Sequence, residues 1–193
     1  MKKTTIDTIK SVLVLTIISF VCVGLLAVCN EFMKYTPTLD GEMATWLYKV
    51  CPTGEATDEN ALDYFEILNI DGQIKAVNSA NKSTGKVLAV FKAKSGPNAG
   101  RYIIQAQAKG NDGDVIMLTA FDDQNKIMKT ICYSQTESYW SKVDQSWFDN
   151  LIGLGGSVTS GDIQASSGAT KTLTAVAKAV TVSCAMVNEI TGA

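Results

Sequence analysis

The sequence predicts an α+β protein: a single N-terminal transmembrane helix, then a small extracytoplasmic domain with an antiparallel sheet and a closing C-terminal helix. Three observations predict it. No charged residue occurs between Lys10 and Glu31. Short segments of alternating or β-branched residues, punctuated by Gly, Asn and Asp turns, fill the middle of the chain. Near the C-terminus Leu173, Val176, Val180, Cys184 and Val187 recur at three- and four-residue steps, the spacing of a buried helical stripe.

The apolar stretch Ser11–Asn30 is dominated by Val, Leu, Ile, Phe and Cys. About 20 helical residues cover about 30 Å, the hydrocarbon thickness of a bilayer. A cleaved signal peptide is the competing reading, since Lys2 and Lys3 precede the run. The exit, Cys29-Asn30-Glu31-Phe32-Met33-Lys34, offers no small-x-small cleavage site and favours an uncleaved anchor. Lys2, Lys3 and Lys10 lie before the span and Lys34 alone closely follows it, so the positive-inside rule leaves the N-terminus in the cytoplasm. This divides the chain into a cytoplasmic N-terminus (1–10), an anchor (11–30), a helical connector (31–62) and a domain (63–193).

Leu39–Val50 reads as an amphipathic helix with Met43, Trp46, Leu47 and Val50 on one stripe, broken by Pro52 and Gly54. Asp63–Leu68 reads as a strand. Asp71-Gly72 is a hairpin signal leading into a strand at Gln73–Val77. Strands follow at Lys86–Lys92, Arg101–Ala108, Val115–Phe121 and Lys126–Tyr133, joined by turns at Gly96-Pro97-Asn98, Gly110–Gly113 and Asp122–Asn125. Asp144 caps a short helix through Leu151, with Trp147, Phe148 and Leu151 on its apolar face. The last helix is expected over Thr172–Ile190.

Composition removes several classes of chemistry. There is no His, which excludes His–metal sites, Ser–His–Asp triads and His-linked flavin. The net charge of −2, with no basic block, argues against nucleic acid as a partner. The five Cys form no Cys-x-x-Cys. Cys22 and Cys29 share a helix face as small packing residues. Cys51 and Cys132 could pair in an oxidising compartment, which sequence separation alone does not decide.

The motif richest in chemistry is Ser167-Gly168-Ala169-Thr170-Lys171-Thr172. Small residues let a phosphate approach the backbone, and a following helix would aim free N–H groups at it. The same residues can also be a turn with a Thr N-cap. Ser/Thr-Gly-Ala-Thr at a helix start resembles the covalent FMN attachment site of the FMN-binding domains of bacterial respiratory complexes. Nearly the whole chain is similar, in order and spacing, to the G subunit of the Rnf electron-transport complex and to its relative, the C subunit of the sodium-pumping NADH:quinone reductase. The similarity rests on Leu15–Ser19, Leu25–Val28 and Asn30-Glu31 in the anchor, and on Gly100–Ile104 and Gly110–Gly113 in the middle. Asp122–Lys126, Phe148, Ser167–Thr170, Thr172 and Ala175-Val176 complete it.

The resemblance implies an FMN-binding domain in which a flavin transferase joins the FMN phosphate to Thr170 as a phosphoester. Ser167, Gly168, Ala169 and Thr172 would surround it. It implies an electron-transfer subunit of a multisubunit membrane complex that couples ferredoxin–NAD electron transfer to Na⁺ or H⁺ movement. The span has no acidic residue, which assigns ion translocation to other subunits. Two departures bear on the site. Gln164 stands where the family has Asp, while Asp162 lies two residues earlier. The family's Glu-Thr-Pro-Gly-Leu-Gly loop falls on Gln135–Trp140, which lacks the glycines. Thr136 is then a candidate donor to the flavin, and Tyr139 or Trp140 a candidate stacking face; the alternative is that both aromatics cover the core or face a partner. Two further functions stay open: a flavin-free membrane-anchored interaction domain, and an extracytoplasmic flavoprotein of another electron-transfer chain.

Overall fold

The computed structural model of the chain describes residues 12–26, 38–54, 60–163 and 169–193. The chain divides into two units, Met1–Thr36 and Pro37–Ala193. In the first, α1 (Val12–Leu26) is an apolar helix whose large side chains are exposed, Phe20 and Leu26 among them. Its two hydroxyls turn inward: Thr16 Oγ1 donates to the Val12 carbonyl and Ser19 Oγ to the Leu15 carbonyl, each at 2.9 Å. Such bonds satisfy a polar side chain without water. The expected span runs from Ser11 to Asn30, and its residues 11 and 27–30, Cys29 among them, lie outside the described residues.

The second unit is built on five antiparallel strands in sequence order: β1 (Phe65–Ile67), β2 (Lys86–Ala93), β3 (Tyr102–Lys109), β4 (Asp114–Phe121) and β5 (Ile127–Gln135). The last four match the sequence expectation within two residues at each end. Helices cover both faces. On one, α6 (Thr170–Thr191) lays Leu173, Val176, Val180, Cys184 and Val187 against Ile104, Ala106, Val115 and Met117, all buried. On the other, α2 (Gly41–Val50) lays Met43, Leu47 and Val50 against Phe91, Ile103, Leu118 and Ala120. The helix expected in a connector is thus a layer of the domain itself. Covering both faces explains why β4 reads as a nearly continuous apolar run. It also separates two cysteines. Cys51 belongs to the α2 core and Cys132 packs on the α6 side, and both thiols are free.

Three expectations need correction. Residues Asp71–Ala80 form a helix, α4, and no hairpin. Ile70, Ile74 and Val77 follow the helical period and pack on the α6-side core, which outweighs the Asp-Gly turn signal. Asn78 bridges α4 to β2: its amide accepts from the Val87 N–H at 2.7 Å and donates to the Val87 carbonyl at 3.0 Å. The segment expected as strand Asp63–Leu68 begins as a helical turn, α3 (Ala61–Tyr64), and only Phe65–Ile67 pairs with β2. The segment Gln145–Leu151 is 3-10 rather than α-helical, although Asp144 caps it as expected, accepting from the Ser146 N–H at 2.9 Å.

Among the described residues, Thr170–Thr191 is the helix long and apolar enough to span a membrane by length and composition. Its burial against the sheet accounts for that apolarity. At its C-terminus Gly192, with φ +72°, takes the left-handed cap that only glycine adopts freely.

Candidate functional site

The candidate site is an open cleft of about 320 Å³ at the mouth of α6, lined by Asn111, Tyr139, Ala169, Thr170, Lys171 and Thr172. Three segments supply its walls: the first turn of α6, the β3–β4 loop at 110–113, and the stretch after β5. The helix starts at Thr170, two residues before the expected Thr172, and its N-cap is Ala169, which has no side chain to cap with. No acidic residue occupies the first turn. Among the described residues, the N–H groups of Thr170, Lys171 and Thr172 have no acceptor, as a helix N-terminus requires. Thr170 is exposed, and its hydroxyl has no hydrogen-bond partner among the described residues. Among the described residues, a hydroxyl, N–H groups without acceptors and the positive dipole end therefore adjoin one space.

The sequence candidates separate here. Thr170, Ala169, Thr172 and Tyr139 line the cleft. Ser167 and Gly168 lie outside the described residues, as does Gln164. Tyr139 is 46% exposed, and the Lys142 ammonium sits 5.0 Å from its ring centre. Trp140 is not among the residues that line the cleft: it packs on Phe148, ring centres 6.3 Å apart, at the edge of the α6-side core. Thr136 also lies outside the cleft wall, and its Oγ1 accepts from the Asp114 N–H at 3.1 Å. Asp162 is engaged locally and does not line the cleft. Its carboxylate takes the Thr159 hydroxyl and N–H, both at 2.7 Å, in a local cap of α5 (Ser160–Ile163). Those bonds hold its carboxyl below the usual aspartate range.

Sequence reasoning missed Glu137. This carboxylate is 5% exposed and lies beneath the cleft. One oxygen accepts from the Asp112 and Gly113 N–H groups at 2.8 and 2.9 Å, and the other accepts from the Thr172 hydroxyl at 2.7 Å. Burial alone would raise its pKa. Hydrogen bonds from the Gly113 N–H, the Thr172 hydroxyl and the Asp112 and Asn111 N–H groups outweigh burial and hold it at about 2. The glycines of the loop make room for this arrangement. A Cβ on Gly110 would come within 2.4 Å of the Glu137 carboxylate, and one on Gly113 within 1.6 Å of Thr136 Oγ1. Above them, Lys171 Nζ donates to the Asn111 side-chain oxygen at 3.0 Å and spans two walls of the cleft.

Other chemistry is weakly represented. Burial pushes the Cys51 and Cys184 thiols up to about 11 and the Cys132 thiol to about 12, so these sulfurs are protonated packing groups at neutral pH. Among the described residues no cluster of His, Cys, Asp or Glu could hold a metal ion. A second cleft of about 210 Å³ lies between the turn at 82–85 and Lys178, and contains none of the candidate residues.

Compared with models of known protein families the chain matches none, and it matches no curated protein.

Proposed function

We propose that this chain is a membrane-anchored electron-transfer subunit that carries FMN covalently on Thr170, within an Rnf-type ion-translocating ferredoxin:NAD oxidoreductase complex. The observation that carries the proposal is the exposed Thr170 hydroxyl, without a partner among the described residues, at the N-terminus of a 22-residue helix and on the wall of a cleft of about 320 Å³. The apolar helix α1, within the uncharged stretch 11–30, supplies the anchor, and the lysine distribution around it puts the domain outside the cytoplasm. Other membrane subunits and a flavin transferase are the implied partners.

The residues present fit the phosphate end of FMN. Ala169 is small, the N–H groups of Thr170–Thr172 are free among the described residues, and Lys171 adds a cation at the rim. The negative charge of Glu137 is already met by two N–H groups and one hydroxyl, so it does not leave an uncompensated anion under the mouth. Thr172 is spent on Glu137 and acts by holding the helix start. Tyr139 is the aromatic face on the cleft that could support the ring.

Thr170 Oγ1 would be the acceptor in attachment: the transferase would supply the flavin phosphate as a phosphoanhydride, whose cleavage would release a nucleoside monophosphate, with the hydroxyl proton passing to it or to water. When bound, the flavin supplies reversible one- and two-electron chemistry. The chain's own residues fix its phosphate, cover one ring face and set the polarity around it.

In-gel ultraviolet fluorescence of the denatured protein tests the attachment, because only a covalent flavin survives denaturation. Protein made alongside a flavin transferase should fluoresce; Thr170→Ala should not, and Thr170→Ser should retain partial signal because the hydroxyl remains. A dark wild type would favour the flavin-free interaction domain, a reading that Gln164 and the absent loop glycines motivate.

A further inference from the structure

The three walls of the cleft share one anchor. The β3–β4 loop is held through the Asp112 and Gly113 N–H groups, and the mouth of α6 through the Thr172 hydroxyl. The third wall, Tyr139, stands two residues beyond the same glutamate on the same backbone. That backbone is itself fixed, since the Glu137 N–H donates to Gln135 Oε1 at 2.6 Å and the Ser138 N–H to Asp112 Oδ2 at 3.3 Å. A surface glutamate makes no such set of contacts. Glu137 is buried, and two glycines stand where any side chain would displace it or Thr136.

We propose that Glu137 is the positioning residue of this cleft: its single carboxylate holds the 110–113 loop, the first turn of α6 and the Tyr139 segment in register, so that the Thr170 hydroxyl is presented to an incoming flavin phosphate. The proposal rests on the reading of Thr170 as the attachment residue. Glu137 touches neither the hydroxyl nor the space the flavin would fill; it acts through Thr172 and the loop. Two of its partners sit on one oxygen and one on the other, so its geometry, and not charge alone, links the walls. An aspartate, one methylene shorter, would have to release one wall to keep the other.

The test uses the full chain in detergent, with Glu137→Gln, Glu137→Asp and Thr172→Val beside wild type. Amide hydrogen exchange on the flavin-free protein is read first. In Glu137→Gln and Glu137→Asp the hydrogen-bonded amides at 112–113 and 173–176 should exchange faster together, by about tenfold or more, while those of β2–β4 keep wild-type rates. Thr172→Val removes one bond and should loosen 173–176 alone. Flavin attachment is read second, at varied concentration of the protein substrate. For the Glu137 variants kcat should fall about 10- to 100-fold with KM nearly unchanged, the pattern of a misplaced reacting group. Wild-type exchange at both segments in Glu137→Gln overturns the proposal, and so does wild-type kcat with both segments loosened. Should Glu137→Gln fail to fold, Thr172→Val decides: unchanged exchange at 173–176 overturns it. A wild type that accepts no flavin overturns the reading of Thr170, and the exchange data still judge Glu137.

Discussion

Glu137 shows what a single residue does for this domain. Its carboxyl is held at about 2, against an ordinary 4.5, by hydrogen bonds made only in the folded chain. A depressed carboxyl stabilises the fold above its unfolded pKa. That contribution is complete above about pH 4.5 and is lost as pH falls toward about 2. Acid unfolding of wild type should therefore steepen across this window, and Glu137→Gln should flatten it; identical acid profiles would show that the buried contacts do not form. Gly113 gives a second residue-level expectation. Gly113→Ala puts a Cβ 1.6 Å from Thr136 Oγ1 and 2.7 Å from its Cβ, so the loop must shift. A loss of about 1–3 kcal/mol in a denaturant titration is expected, and an unchanged midpoint would contradict the close approach. Gly113 was legible as part of the 110–113 turn, but Glu137 did not stand out, because a lone Glu in a polar stretch looks like a solvated one. The available signal was the Gly-Asn-Asp-Gly turn, whose paired glycines leave backbone N–H groups open to an acceptor from elsewhere in the chain.

At the scale of elements, patterning was legible wherever one period dominated. The stripe of α6 is fully buried as its three- and four-residue steps require. Val180→Asp would place an unpaired carboxylate in that core and should cost about 3 kcal/mol or more; a wild-type unfolding midpoint would show this face to be open. The four long strands were legible from their turn residues. The turn at 122–126 is tied by Asp122 Oδ1, which accepts from the Gln124 and Lys126 N–H groups at 2.8 Å each. Residues 71–80 were misread because Asp-Gly marks a hairpin only between segments that pair. Here α4 instead packs Val77 into the core, a tertiary fact that local sequence does not carry. The start of α6 was two residues off because small residues at 168–169 resemble a turn, and helix ends are the least determined part of any pattern.

For the whole molecule, the sequence predicted an α+β domain on an antiparallel sheet with a C-terminal helix, and that architecture is present. What it could not supply was the second helical layer. An amphipathic stripe on α2 predicts burial but not against which face, and it was assigned to a connector. Of the residues the sequence nominated, Thr170 and Tyr139 line the cleft and Trp140 and Thr136 do not, because which side chains after β5 reach it depends on where the chain leaves the sheet. On the proposed topology, a membrane-impermeant protease applied to intact spheroplasts should digest the domain; full protection until lysis would contradict an extracytoplasmic location. Covalent flavin on Thr170 is best checked by intact-mass and peptide mass spectrometry of the chain produced with a flavin transferase. A gain equal to FMN less one water is expected, carried on the peptide containing Thr170 and absent from Thr170→Ala of equal stability. Unmodified wild-type protein, or flavin mapped to any other residue, would contradict it.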